Sequence, residues 1–183
     1  ITVCQTNSND VDVSGNHGGG DAWAVKLDPL GNIIWQKCLG GSSSEYIWFI
    51  QEASDGGYIM AGITFSNDGD VSGNHGGGDV WVVKLDPGGN ITWQKCLGGS
   101  DYDEANSIKQ TSDGGYILAG LTWSNDVDVS GNHGGSDFWA VKLDSGGNII
   151  WQKCLGGSSS DTAYSIQQTS DGGYIMAGYI YSN

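Results

Sequence analysis

Three copies of one acidic pattern carry the chemistry that can be read from this chain. The first is Asp10-Val11-Asp12-Val13-Ser14-Gly15 followed by five residues and Asp21. The second places Asp68, Asp70, Ser72, Gly73 and Asp79 at the same spacing, and the third Asp126, Asp128, Ser130, Gly131 and Asp137. D-x-D-x-S-G-x5-D is the ligand spacing of a calcium loop, with side-chain oxygens at positions 1, 3, 5 and 12 and a glycine at 6 for the sharp turn. A backbone carbonyl at position 7 comes from Asn16, Asn74 or Asn132. Two readings stand side by side. One is Ca²⁺, held at the weak affinity of extracellular modules, ~10⁻⁴–10⁻³ M. The other is a metal-free network of Asx turns, because Asp, Asn and Ser also bond their own backbone. Position 12 is Asp where the motif prefers Glu, so the shorter side chain reaches an ion through one oxygen.

Other candidate chemistry is thinner. His17, His75 and His133 stand one per loop among glycines, short of the ligand set zinc needs. The sequence therefore predicts loop histidines hydrogen-bonded to a carboxylate or carbonyl. Trp23, Trp81 and Trp139, and Trp35, Trp93 and Trp151, recur in step and are expected in the core. Trp48 and Trp123 do not recur and are the better candidates for exposed stacking. No nucleophile or acid–base pair belongs to one unit alone, so the chain is not expected to be an enzyme.

What positions these residues is a repeat of fixed 58-residue period: Trp23 maps to Trp81 and Trp139, Cys38 to Cys96 and Cys154, and Ser54–Tyr58 to Ser112–Tyr116 and Ser170–Tyr174. One supersecondary unit is copied, and each copy needs neighbours to bury its apolar surface. The units are 10–67, 68–125 and 126–183, with 1–9 the end of a preceding unit, and together they form one repeat region over 1–183. Because Ile1–Asn9 matches Ile59–Asn67, the chain begins and ends at the same point of the repeat, as an excerpt of a longer array would.

Within a unit, a β-rich run leads through Ser-Asp-Gly-Gly, whose Asp-Gly supplies a tight hairpin. A second strand follows, then the long polar loop, then Asp79–Asp86 with Trp81, Val83 and Leu85 on one face by the period of two. Pro87-Gly88-Gly89-Asn90 turns the chain into a fourth strand ending at Leu97. Strands are expected near 46–52, 57–65, 79–86 and 90–97, with copies at +58, and are named a, b, c and d. The fold class is all-β, and four antiparallel strands per unit, apolar on both faces, describe a β-propeller blade. Three blades cannot close a ring, so further segments or other copies complete it. The first b strand has no strand a before it. Its open edge is expected to be paired by upstream residues or a neighbouring subunit.

The string Leu-Gly-Gly-Ser, Ser-Ile-x-Gln-Thr-Ser-Asp-Gly-Gly-Tyr-Ile-x-Ala-Gly and Asp-x-Trp-x-Val-Lys-Leu-Asp-x-x-Gly-Asn-Ile resembles the SBBP-type bacterial and archaeal β-propeller repeat. The resemblance runs along essentially the whole chain and implies secreted or surface-anchored arrays. Cys in strand d departs from the Thr or other small residue expected there.

Composition sets further bounds. Net charge is −14, with seven Lys and no Arg, which argues against a nucleic-acid partner. No apolar run is long enough to span a membrane. Richness in Gly, Asn, Ser, Thr and Trp fits an extracellular or cell-surface protein. Cys38, Cys96 and Cys154 share one repeat position, too far apart for disulfides, and are expected as buried free thiols. Cys4 replaces the glycine of positions 62, 120 and 178, either by chance or for an intermolecular disulfide. The expected function is a noncatalytic structural or adhesive propeller, calcium-stabilised, that contacts copies of itself through sheet edges. A lectin-like propeller with one glycan pocket per blade is the alternative, and other surface proteins are further candidate partners. Glycan sites would expose Trp beside Asn or Asp; assembly would leave edges to be paired.

Overall fold

A computed structural model describes residues 1–181; the last two positions of the third unit, Ser182 and Asn183, lie outside the described residues. Every regular element in it is a strand. In chain order they are β1 (Thr2–Thr6), β2 (Asp21–Leu27), β3 (Ile33–Leu39), β4 (Glu45–Glu52), β5 (Tyr58–Thr64), β6 (Asp79–Leu85), β7 (Ile91–Leu97), β8 (Asp103–Gln110), β9 (Tyr116–Thr122), β10 (Asp137–Leu143), β11 (Ile149–Leu155), β12 (Asp161–Gln168) and β13 (Tyr174–Ile180). The expected boundaries of a, b, c and d hold to within a residue or two.

Each sheet is an antiparallel meander. The second is ordered β4-β5-β6-β7 and the third β8 to β11, each a complete a-b-c-d set. The first holds β1-β2-β3, which are b, c and d, and the last holds β12-β13, which are a and b. Because the strands alternate in direction, the a–b and c–d turns lie at one end of every sheet. The b–c and d–a loops lie at the other.

The turns follow from their residues. Gly56 takes φ +80°, open to glycine at no steric cost, and Gly57 N–H bonds Asp55 Oδ1 at 2.9 Å. In the c–d turn Asp86 accepts from Gly88 N at 2.8 Å and Asn90 N at 2.9 Å.

The core lies between sheets. Strands β5 and β6 are buried along their whole length, and Trp81, Val83 and Leu85 share one cluster with Ala22 and Leu39 of the sheet before. Trp139, Val141 and Leu143 join Val80, Val82 and Leu97 in the next. Each d-strand Trp packs edge-on against a b-strand Tyr of the following sheet: Trp35 on Tyr58, Trp93 on Tyr116 and Trp151 on Tyr174, with centroids 5.6–5.9 Å apart. These recurring tryptophans are inter-sheet packing, as their period required. Trp81 and Trp139 are fully buried. The three strand-d cysteines are buried free thiols, and burial pushes Cys38 up to about 11 and Cys96 and Cys154 up to about 12.

Strand a carries a β-bulge in each of the three sheets that contain it, at Trp48, Asn106 and Tyr164. A bulge re-aims the side chain of the extra residue. Asn106 uses this to donate from Nδ2 to the Ala163 carbonyl of the next sheet at 3.1 Å, so neighbouring a strands touch directly.

Candidate functional site

The b–c loop opens on a tight turn closed by Val71 N–H to Asp68 O at 3.0 Å. The turn drives Val71 into the core and leaves the two acids of the D-x-D pair facing the d–a loop that brings the chain in from the preceding sheet. Asp68 Oδ1 accepts from Ser42 N at 2.8 Å, Asp70 N donates to Gly40 O at 2.9 Å, and Gly40 N reaches Asp70 Oδ2 at 3.3 Å. One unit later Asp126 Oδ1 accepts from Ser100 N at 2.9 Å and Asp128 N bonds Gly98 O at 3.2 Å. These bonds from the Ser42 and Ser100 amides hold Asp68 and Asp126 below the usual carboxylate range. The D-x-D pair is thus a clasp on the inter-sheet crossover. Asp10 and Asp12, in the first unit, are exposed.

The remaining donors turn elsewhere. Ser72 Oγ accepts from Gln94 Nε2 at 2.7 Å, and Gln94 Oε1 accepts the buried indole N–H of Trp81 at 2.9 Å. Ser14 and Ser130 make the same bond to Gln36 and Gln152, which accept from Trp23 and Trp139. Asn16, Asn74 and Asn132 donate from Nδ2 to the last carbonyl of strand b, at Thr6, Thr64 and Thr122, over 3.0–3.1 Å. Asp21, Asp79 and Asp137 begin strand c fully buried. Oδ2 of each takes the Nδ1 of the loop histidine, His17, His75 or His133, at 2.6–2.7 Å, as the single-His reading predicted.

In the second and third loops the five expected calcium donors therefore engage separate protein partners, whereas in the first Asp10 and Asp12 stand exposed and only Ser14, Asn16 and Asp21 do so. Among the described residues no group of three or more His, Cys, Asp or Glu is arranged to hold a metal ion. One feature points the other way: Oδ1 of Asp21, Asp79 and Asp137 is buried without a hydrogen-bond partner. Each lies near the acid that opens strand a of the next sheet. Asp137 Oδ1 and Asp161 Oδ2 flank Gly156, and Asp21 Oδ1 and Glu45 Oε2 flank Gly40. Burial raises Glu45, Asp79 and Asp103 above the usual carboxylate range, opposed by bonds from Ser66, Gly41 and Thr64 to Glu45, from His75 to Asp79, and from Thr122, Gly99 and Ser124 to Asp103.

A second surface lies at the same end of the sheets, along strand a. Tyr46 and Trp48 are near-parallel, 12° apart with centroids at 6.3 Å. Tyr46 meets Phe65 edge-on, and Phe65 meets Tyr102 of the next sheet at 6.3 Å. Tyr102 hydroxyl donates to Glu104 Oε2 at 2.5 Å, and Trp123, across from it, donates its backbone N–H to Tyr102 O. Beyond Glu104 come Tyr164, Tyr179 and Tyr181, with the Tyr179 ring in contact with both of the others. Desolvation, the Tyr179 hydroxyl and the charges of Tyr179 and Glu104 push the Tyr164 phenol up. Trp48 is 47% exposed and Trp123 49%. Their predicted exposure is borne out. The surrounding tyrosines were not anticipated, although they too break the repeat: positions 46, 104 and 162 read Tyr, Glu, Thr, and 65, 123 and 181 read Phe, Trp, Tyr.

No family model matches the chain. It is similar to the regulatory protein FlaEY of Caulobacter vibrioides, 24% identical over 187 aligned positions that cover 96% of this chain and 19% of that protein. The chain thus spans about one fifth of the length of that relative.

Proposed function

We propose that the sheets are blades of a β-propeller and that the chain is a noncatalytic adhesive module of an extracellular or cell-surface protein. The observation that carries this reading is where the units differ. Buried positions and the b–c clasp repeat almost unchanged, whereas strand a and the end of strand b vary, and their side chains meet in one exposed aromatic band. A constant scaffold presenting a variable surface is the arrangement of a binding repeat protein. Radial packing is supported by contact between neighbouring a strands and by the shared a-b-c-d order. The b–c loops serve this module as clasps between blades. The relative is a regulatory protein by name, which adds no catalytic role.

Beads coated with the chain are expected to adhere to the surface of cells or to their matrix, and electron microscopy of a complete array is expected to show rings. Failure of the beads to adhere to any such surface would overturn the adhesive reading; stacked sheets extending without curvature would overturn the propeller. Calcium is decided by the melting temperature in millimolar calcium and then in chelator. A rise that Asp79→Asn and its repeat equivalents abolish assigns the ion to those buried carboxylates, since a ligand of the folded state stabilises by mass action. An unchanged value leaves the clasp metal-free.

A further inference from the structure

We propose that the aromatic band is a binding site for a neutral oligosaccharide, centred on Tyr46, Trp48, Phe65, Tyr102, Glu104 and Trp123. The proposal rests on the adhesive reading and names its ligand class. It places one extended site across two blades, on residues that do not repeat, rather than one pocket in each blade.

The chemistry of the band selects the ligand. Four of its rings, Tyr46, Trp48, Phe65 and Trp123, are open on the surface, and the half-buried Tyr102 meets Phe65 across the two sheets. An exposed π-face carries partial negative charge and attracts the edge of a group with polarised C–H bonds. One face of a pyranose is such a set of C–H groups, and its rim is a set of hydroxyls that need acceptors. Glu104 supplies one: Oε2 is taken by the Tyr102 hydroxyl at 2.5 Å, which fixes the carboxylate and leaves Oε1 for a ligand hydroxyl. A chain of sugars presents both requirements along its length, and the band meets them with a run of rings ending at one fixed carboxylate.

Charge argues against the other occupants. A polycationic segment needs several carboxylates, and the six residues offer one. A lipid surface would have to desolvate that carboxylate with no cation beside it. The bulge at Trp48 is the backbone device that turns this ring out of the strand's paired register, and the equivalent Asn106 is instead engaged with the next sheet.

The test uses the whole 183-residue chain. Cellohexaose, xylohexaose, mannohexaose and chitohexaose are titrated with tryptophan fluorescence and calorimetry, with hexalysine as the cationic comparison. At least one glycan is expected to bind, and Trp48→Ala and Trp123→Phe each to weaken it by about tenfold or more. Glu104→Gln is expected to weaken it less, because the amide oxygen still accepts. Leu30→Ala, exposed in a c–d turn at the opposite end, is expected to leave binding unchanged. Unaltered melting of each variant separates lost contact from lost fold. Binding of hexalysine alone, or glycan binding indifferent to Trp48 and Trp123, overturns the proposal. No binding of any probe by a chain whose beads still adhere overturns it too and leaves the adhesive reading standing. No binding and no adhesion overturns both.

Discussion

The carbonyl oxygen of Tyr46 presses on Gly62 so closely that a Cβ there would fall inside its van der Waals shell. The same relationship joins Glu104 to Gly120 and Thr162 to Gly178. Its cause is the bulge at Trp48, Asn106 and Tyr164, which pushes the strand a backbone onto strand b. Gly62→Ala is therefore expected to cost about 1–3 kcal/mol through strand displacement, the range for overpacking a fitted site. Urea denaturation measures this. Gly88→Ala, where a Cβ would meet only the side-chain ends of Asp86 and Asn90 at 3.3 and 3.4 Å, is the comparison and is expected to cost less.

Val127 is strained where Gly69 is not. Both occupy the middle of the D-x-D turn, with φ of 55° and 63°, and a β-branched residue in that region is a genuine outlier. Val127 is exposed, so it buries little in return. Left-handed strain of about 1–2 kcal/mol exceeds the entropy cost of glycine, about 0.5–1 kcal/mol. Val127→Gly is expected to raise stability by a few tenths to about 1 kcal/mol, read as an upward shift in the denaturation midpoint. A fall would mean that the surrounding loop relieves the strain.

Much of this was legible from residue type. The period-two division of Asp79–Leu85 between two packing faces, Asp-Gly-Gly at the a–b turn and the single period of 58 made the strands legible, because each is a local signal repeated in register. The clasp was not legible. Asp68 and Ser42 are 26 residues apart, and the spacing D-x-D-x-S-G is satisfied equally by a cation and by the amides of a neighbouring crossover. Only the placement of the Leu-Gly-Gly-Ser segment distinguishes them, and its glycines were the available signal: a Cβ at Gly41 or Gly99 would meet the carboxylate of Asp68 or Asp126. The Ser72–Gln94–Trp81 chain was hidden for the same reason, since it joins three elements through side chains that each look ordinary alone.

Two sets of acids give stability opposite pH slopes. Asp55 is held low by Lys84, and Asp113 by Thr111 and then Lys142, both lysines being buried. A depressed folded value contributes stability that is full above the ordinary Asp range and lost as pH falls below that range through the folded value. Both aspartates are largely exposed, so solvent screens the contribution. Glu45, Asp79 and Asp103 are raised by burial, so the folded state holds their protons more tightly and their contribution fades as pH rises from 4 toward 7. Asp113→Asn is expected to destabilise more at neutral than at acid pH. Asp103→Asn is expected to do the reverse. Denaturation midpoints near pH 2 and pH 7 check the first sign, and midpoints near pH 4 and pH 7 the second.

Cys4 stands where strands β5, β9 and β13 carry Gly62, Gly120 and Gly178, and it lies on β1, whose outer edge has no strand a in the first sheet. Its thiol is free and exposed. A strand of the bulged form seen in β4, β8 and β12 would bring its carbonyl onto the Cys4 side chain, the clash that glycine avoids at the other three positions. Backbone pairing by β-augmentation at this edge is thereby selective: a strand that adds to β1 must lack the bulge or shift its register. A peptide with the sequence of residues 45–52 is expected to bind the Cys4→Gly chain more tightly than the native chain. The same peptide with Trp48 deleted, which removes the extra residue, is expected to narrow or reverse that difference. Calorimetry of both peptides against both chains measures it. Equal binding in all four pairings would show that Cys4 does not select the strand that pairs with β1.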